Sequence, residues 1–210
     1  MAMAVDQRSL FDLGDEIAPR SLGSAVERTV LTPGAWVDLR RDWIAGSASL
    51  FERLVGAVPW RSERRRMYDR TVDVPRMVAF YGTGEQLPDP ALGVARDGLT
   101  AAYGDEPAAP LCTTGICLYR DGRDSVAWHG DTIGRHSADD TLVAIVSLGE
   151  TRRFLLRPKD GGATRKFALG HGDLLVMGGS CQRTWEHSVP KTTRPVGPRI
   201  SIQFRSAGVR

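Results

Sequence analysis

Arg199-Ile200-Ser201-Ile202-Gln203-Phe204-Arg205 alternates strictly between apolar and polar side chains. Successive residues of a strand point to opposite faces, so Ile200, Ile202 and Phe204 share one face, while Arg199, Ser201, Gln203 and Arg205 share the other. A one-residue slip would exchange the two faces, which fixes the register. Six residues separate the two arginines, about 20 Å of extended chain at ~3.3 Å per residue. Leaning toward each other, they can hold opposite ends of a short dicarboxylate through charge-assisted forks. For this segment alone, an edge strand with a solvated polar face is the competing reading.

Similar short runs of β-forming residues, split by glycines, occur at Met77–Tyr81, Ile116–Tyr119, Thr141–Ser147, Phe154–Leu156 and Leu174–Met177. They predict an antiparallel sandwich or open barrel, an α+β or mainly β fold. Helices are expected before and between them. Thr32 suits a cap and Pro33 a first helical position, with Trp36, Leu39, Trp43 and Ile44 at helical spacing behind them. A second helix is expected through Leu50, Phe51, Leu54 and Val55, and a third near residues 90–103. A chain of 210 residues fits one domain, read as an N-terminal arm over 1–30 and a single domain over 31–210.

With 41% hydrophobic and 25% charged residues, and no apolar run near the ~18 needed to cross a bilayer, the composition excludes a disordered or membrane-spanning chain. The net charge of +3 does not by itself establish a nucleic-acid partner, although the positive side is almost all arginine, with lysine only at 159, 166 and 191. Cys112, Cys117 and Cys181 form an odd set without a CxxC pair, against a disulfide framework or a cysteine zinc site. No basic-then-apolar leader opens the chain, and a cytoplasmic location is expected.

Trp128-His129-Gly130-Asp131 places an imidazole and a carboxylate two residues apart, on one face of a strand, where they can share a metal. His187, 56 residues after Asp131, is the candidate for closing a two-histidine, one-carboxylate facial triad on non-haem Fe(II). An isolated HxD occurs by chance, and a surface histidine beside a turn aspartate is the competing reading. A second copy, His171-Gly172-Asp173, precedes Leu174-Leu175-Val176-Met177 and reads as a turn entering a buried strand. His136 lies in a polar stretch and is expected in a solvated loop. Arg61, Arg64, Arg65, Arg66, Arg70 and Arg76 crowd into sixteen residues beside Trp60, Phe80 and Tyr81. Such a group can meet phosphates and stack on a base, or simply be a solvated basic face. Arg152, Arg153, Arg157 and Arg165 are expected to extend that surface.

Five ordered stretches resemble the AlkB family of Fe(II)- and 2-oxoglutarate-dependent nucleic-acid dealkylating dioxygenases, over most of the chain from about Val58 to Arg205. They are Val74 to Gly82, Leu118-Tyr119-Arg120-Asp121-Gly122, His129-Gly130-Asp131, Gly172 to Gly179 leading to Trp185-Glu186-His187-Ser188-Val189-Pro190, and Arg199 to Arg205. The resemblance implies a double-stranded β-helix, or jelly-roll, core flanked by N-terminal helices. It implies His129, Asp131 and His187 as iron ligands, and Tyr119, Arg199, Ser201 and Arg205 around 2-oxoglutarate. A nucleotide-recognition lid near 58–85 would present Trp60, Arg76 and Tyr81 to the substrate, with a core position for Trp60 as the competing reading. The implied activity is oxidative demethylation or dealkylation of N-alkylated bases, using Fe(II), 2-oxoglutarate and O2 and releasing succinate and CO2. Alkylated DNA or RNA is the implied partner, without a membrane or an obligate protein partner.

Three positions depart from the family pattern. Cys117 and Ser201 stand where asparagines are usual, and Ile133 stands where relatives often carry an acid. Two other readings remain open: the same chemistry on a protein or small molecule, and a non-catalytic nucleic-acid-binding jelly-roll.

Overall fold

The computed structural model describes residues 16–67, 70–106, 110–131 and 140–206, with only the backbone described over 63–67 and 70–74. In chain order the elements are β1 Ala18–Pro19, β2 Glu27–Leu31, β3 Ala35–Arg40, β4 Ile44–Ala45, α1 Ser47–Ala57, β5 Arg61–Met67, β6 Arg70–Tyr81, α2 Pro90–Ala102 and β7 Leu111–Tyr119. They continue with β8 Val126–His129, β9 Val143–Gly149, β10 Arg152–Pro158, β11 Arg165–Leu169, β12 Asp173–Gly179, α3 Cys181–Thr184, β13 Trp185–Val189 and β14 Arg199–Ser206.

A large sheet runs β2-β3-β12-β9-β14-β7-β6-β5 and a small one β11-β10-β13-β8, all pairs antiparallel. Their inner faces bury Val37, Leu39, Val143, Ile145, Leu175 and Met177 of the large sheet against Phe154, Leu156, Trp185 and Val189 of the small one. On the outer face of the large sheet, Ile200, Ile202 and Phe204 join Leu50 and Leu54 of α1 and Leu92 and Leu99 of α2 in a second core. The result is the expected mainly β jelly-roll sandwich, with α1 and α2 on the outer face of the large sheet.

Local chemistry explains the helices. Asp89 caps α2 by accepting the Ala91 N–H at 2.9 Å, with Pro90 in the first turn. The same buried carboxylate pairs with Arg53 of α1 at 2.6 Å, tying the two helices together. Among the described residues, no helix is long and apolar enough to cross a membrane.

The helix expected over 32–44 is not formed. Residues 35–40 are β3, paired with β12 on one side and β2 on the other. Trp36 packs into the helix-side core and Ala35, Val37 and Leu39 into the inter-sheet core. A strand covered on both faces loses the polar-apolar alternation that identifies a strand, and its apolar run mimics helical spacing. The expected arm over 1–30 carries β1, which pairs with β4, and all but the last residue of β2, the edge of the large sheet.

The helix-side core is tight where β12 passes Trp36. A Cβ on Gly178 would come within 2.1 Å of the Trp36 ring, which is itself stacked on Tyr103 at 5.8 Å and covered by the Arg28 guanidinium at 3.9 Å. Gly178→Ala is therefore expected to cost about 1–3 kcal/mol by overpacking. Gly98→Ala, in α2 with open space around it, should stabilise by up to ~1 kcal/mol. Guanidinium chloride unfolding of both variants checks the contrast.

Candidate active site

The site lies between the two sheets. Strand pairing sets His187 of β13 directly against His129 of β8, and their rings approach to 4.2 Å between centroids. Asp131 follows just beyond β8. Its carboxylate oxygens lie 3.9 Å from His129 Nε2 and 3.8 Å from His187 Nε2. One ligand atom from each of the three residues falls within 4.8 Å of the others. His187 and Asp131 are buried, while the His129 side chain is 37% exposed, so the cluster is open on that side.

Hydrogen bonds fix how these groups face the centre. His129 Nδ1 lies 2.9 Å from the Ala127 carbonyl, which can only accept, so Nδ1 donates to it and Nε2 is the ring nitrogen turned to Asp131. Phe154 stacks on the His187 ring at 5.3 Å. Arg205 Nη2 donates to Asp131 Oδ1 at 3.2 Å, whereas Oδ2 is buried without a hydrogen-bond partner. Burial raises the Asp131 carboxyl pKa, but Arg205, His187 and His129 outweigh it and hold the value at about 2. Burial drives His187 down to about 3, leaving it neutral. A buried neutral imidazole, a second imidazole beside it, an ionised carboxylate and an orphaned carboxylate oxygen fit a divalent metal ion.

Beside this cluster, the polar face of β14 turns inward. β14 is not an edge strand, since it pairs with β7 and β9. Arg199 is 1% exposed, donates from Nε to Ser147 Oγ at 2.9 Å, and keeps a buried Nη1 without a partner. Its guanidinium lies 5.3 Å from the Tyr119 ring centroid. Tyr119 is pushed up to about 12, chiefly by burial. An unpartnered cationic donor beside a neutral phenol fits one end of a carboxylate ligand.

The pocket walled by His129, His187, Tyr119, Phe154, Ser201 and Gln203 adjoins a cleft of about 510 Å³, and Arg76, Cys117, Gln203 and Arg205 line both. Arg61, Phe80 and Tyr81 form the outer part of that cleft. Arg76 donates to the Ser125 carbonyl at 3.3 Å, and the Tyr81 hydroxyl is buried without a hydrogen-bond partner. Trp60 is not brought to the cleft. It packs against the helix-side core and donates its indole N–H to the Val55 carbonyl at 3.1 Å.

The second His-Gly-Asp is structural. Asp173 accepts from the Gly170 N–H at 2.8 Å, the Asp42 N–H at 3.0 Å and Arg41, and His171 Nδ1 accepts from the Gly149 N–H at 2.8 Å. Arg152, expected on the basic surface, is buried instead, donating to the carbonyls of Asp121, Asp124 and Pro190. Arg157 covers the Trp128 ring at 4.2 Å and pairs with Glu186. Ile133 and His136, and the side chains of Arg64, Arg65, Arg66 and Arg70, lie outside the described residues.

Residues 104–205 match the family model of the 2OG-Fe(II) oxygenase superfamily. The chain is 34% identical to alpha-ketoglutarate-dependent dioxygenase alkB homolog 3 of Bos taurus, over 87% of this chain and 67% of that protein. It is 27% identical to the DNA oxidative demethylase ALKBH2 of Arabidopsis thaliana, over 76% of this chain and 62% of that protein. The chain belongs to the AlkB family of 2OG-Fe(II) oxygenases. A solved structure of OsALKBH1 superposes with a TM-score of 0.62 over 86% of this chain and all of that one, at 15% identity, and so shares the fold.

The AlkB family depends on Fe(II), 2-oxoglutarate and O2. In this member the two positions that lack the usual asparagine are joined through Gln203. Its Nε2 donates to the Ser201 carbonyl at 2.9 Å and Oγ at 2.7 Å, and its Oε1 lies 3.7 Å from Cys117 Sγ. Gly115 makes room, since a Cβ there would lie 2.8 Å from Arg205 and 3.0 Å from Gln203. Gln203 was readable from the alternation of β14 as a polar-face residue, and Ser147 as the polar residue in an apolar run. Gln182, which holds Asp131 through its backbone N–H, has no sequence signal.

A histidine whose folded pKa is depressed resists protonation that the unfolded chain accepts. The contribution of His187 to stability is therefore present above its unfolded pKa of ~6.5 and is lost as pH falls toward about 3. Metal-free protein should lose stability steadily over that window. His187→Asn should flatten the slope, as read from denaturant midpoints against pH.

Proposed function

We propose that this protein removes alkyl groups from ring nitrogens of bases in DNA or RNA by oxidation, coupled to decarboxylation of 2-oxoglutarate to succinate and CO2. The observation that carries this reading is the continuity of the metal-ligating pocket with a wide, arginine-rimmed cleft through Arg76, Cys117, Gln203 and Arg205. A volume of about 510 Å³ is within the range of small-ligand sites and leaves space for one base turned out of its stack.

In this reading His129, Asp131 and His187 hold Fe(II). Arg199 takes the distal carboxylate of 2-oxoglutarate with its free Nη1, Tyr119 and Ser201 border that ligand, and Arg205 stands at the end nearest the metal. When bound, Fe(II), 2-oxoglutarate and O2 supply the oxidising power that hydroxylates the N-alkyl carbon, after which the adduct breaks down to an aldehyde and the unmodified base. The chain's own part is orientation. Arg205 neutralises Asp131, Phe154 packs on the His187 ring and limits its rotation, and burial of Arg199 excludes water from the carboxylate it binds. The β5–β6 hairpin, with its surroundings over 58–85, is the nucleotide-recognition lid, in which Arg76 faces the target nucleotide, Tyr81 borders the cleft while packing on the helix-side core, and Trp60 anchors the base of the hairpin. A reducing, cytoplasmic setting fits three free cysteines.

The experiment is succinate and demethylation measurement with Fe(II), 2-oxoglutarate and an oligonucleotide carrying an N-methylated base. Wild type should lose methyl groups in step with succinate, and His129→Ala should fall to background. Arg199→Met, which forfeits a charge-assisted bond, should raise the KM for 2-oxoglutarate roughly 10- to 100-fold. Methyl groups that survive excess enzyme while cosubstrate turnover continues would assign the chemistry to a protein or small molecule instead.

A further inference from the structure

β8 ends at His129, and its pairing with β13 consists of His187 against His129 and Val189 against Val126, with an irregularity between them. Asp131 therefore sits on a turn that this ladder does not hold. Its backbone N–H is instead taken by Gln182 Oε1 at 3.0 Å, from the short α3 that leads into β13. Gln182 is 2% exposed, and its Nε2 donates to Met177 Sδ at 3.6 Å. A backbone N–H can only donate, so the amide oxygen must face Asp131, and the orientation of the side chain is fixed.

The same turn closes on the neighbouring residue. A Cβ on Gly130 would lie 2.9 Å from the Gln182 carbonyl, and that carbonyl accepts from Lys159 Nζ at 2.9 Å. α3 thus bonds Asp131 and packs closely on Gly130, from the segment that also delivers His187. We infer that Gln182 is a positioning residue of the metal centre: it holds the Asp131 backbone so that the carboxylate stands between the two imidazoles before any ion arrives. The inference rests on the reading of His129, Asp131 and His187 as metal ligands. Without Gln182, the ion would have to order the turn as it binds, and outer partners of this kind typically contribute 10- to 100-fold in metal affinity.

The test is Co(II) titration followed by its visible absorption bands, with near-ultraviolet circular dichroism of the metal-free protein to verify folding. Gln182→Met keeps the shape and removes the acceptor. It should bind Co(II) about 10-fold or more weakly, with a shifted band. Met177→Leu, which breaks only the far contact of the same amide, should bind as the wild type does. If Gln182→Met does not fold, Gln182→Glu decides, because it keeps an oxygen toward Asp131 and should bind Co(II) at least as tightly as the wild type. Folded Gln182→Met binding within twofold of wild type with an unchanged band, or Gln182→Glu binding more weakly than wild type, overturns the inference. His187→Ala separates the two levels: Co(II) binding that survives it refutes the ligand set, whatever Gln182 does.

Discussion

Burying the Asp131 carboxylate costs several kcal/mol of lost hydration unless positive charge and hydrogen bonds stand beside it. Arg205 supplies the charge from β14, Gln182 holds the backbone from α3, and the two imidazoles approach from β8 and β13. Those four sources come from both sheets and from the turn between β12 and β13. The carboxylate can be placed only if the sandwich is closed. In turn, Oδ2 is left as an unsatisfied acceptor 3.8 Å from His187 Nε2, while Oδ1, which accepts from Arg205, lies 3.9 Å from His129 Nε2.

Strand β14 connects this centre to the rest of the molecule. Its apolar face anchors the helix-side core through Ile200, Ile202 and Phe204, and its polar face supplies Arg199, Ser201, Gln203 and Arg205. Register makes the two inseparable, since pairing with both β7 and β9 fixes which residues turn inward. A small basic excess is thereby divided between two tasks. Arg199 and Arg205 are interior and partnered with the proposed cosubstrate and metal site, whereas Arg61 and Arg76 line the cleft proposed for nucleic acid.

Much of this was legible in the sequence, for physical reasons that differ from element to element. β14 could be read because one of its faces is polar. The triad could be read because the ordered family motifs distinguished His129-Gly130-Asp131 from the duplicate at 171–173, although Asp131 lies just beyond the end of β8 and not on the strand that its spacing from His129 predicts. α2 was expected near residues 90–103, and the structure starts it with the Asp89 cap and Pro90. β3 could not be read, because burial on both faces erased its alternation and Trp36, Leu39 and Trp43 imitated a helix. Arg152 was misassigned to a surface because an arginine in a basic stretch looks the same whether it faces solvent or donates to carbonyls inside the fold. Gln182 and the bridge that Gln203 makes between Cys117 and Ser201 depend on contacts across the fold, which no local pattern encodes.

The most direct test of the central arrangement is a crystal structure of the protein grown without oxygen in the presence of Mn(II) and 2-oxoglutarate, with the ion located by anomalous scattering. The expected result is one ion bound by His129, Asp131 and His187, and a 2-oxoglutarate whose distal carboxylate meets Arg199. An ion held at His171 and Asp173, or a dicarboxylate bound away from Arg199, would contradict it.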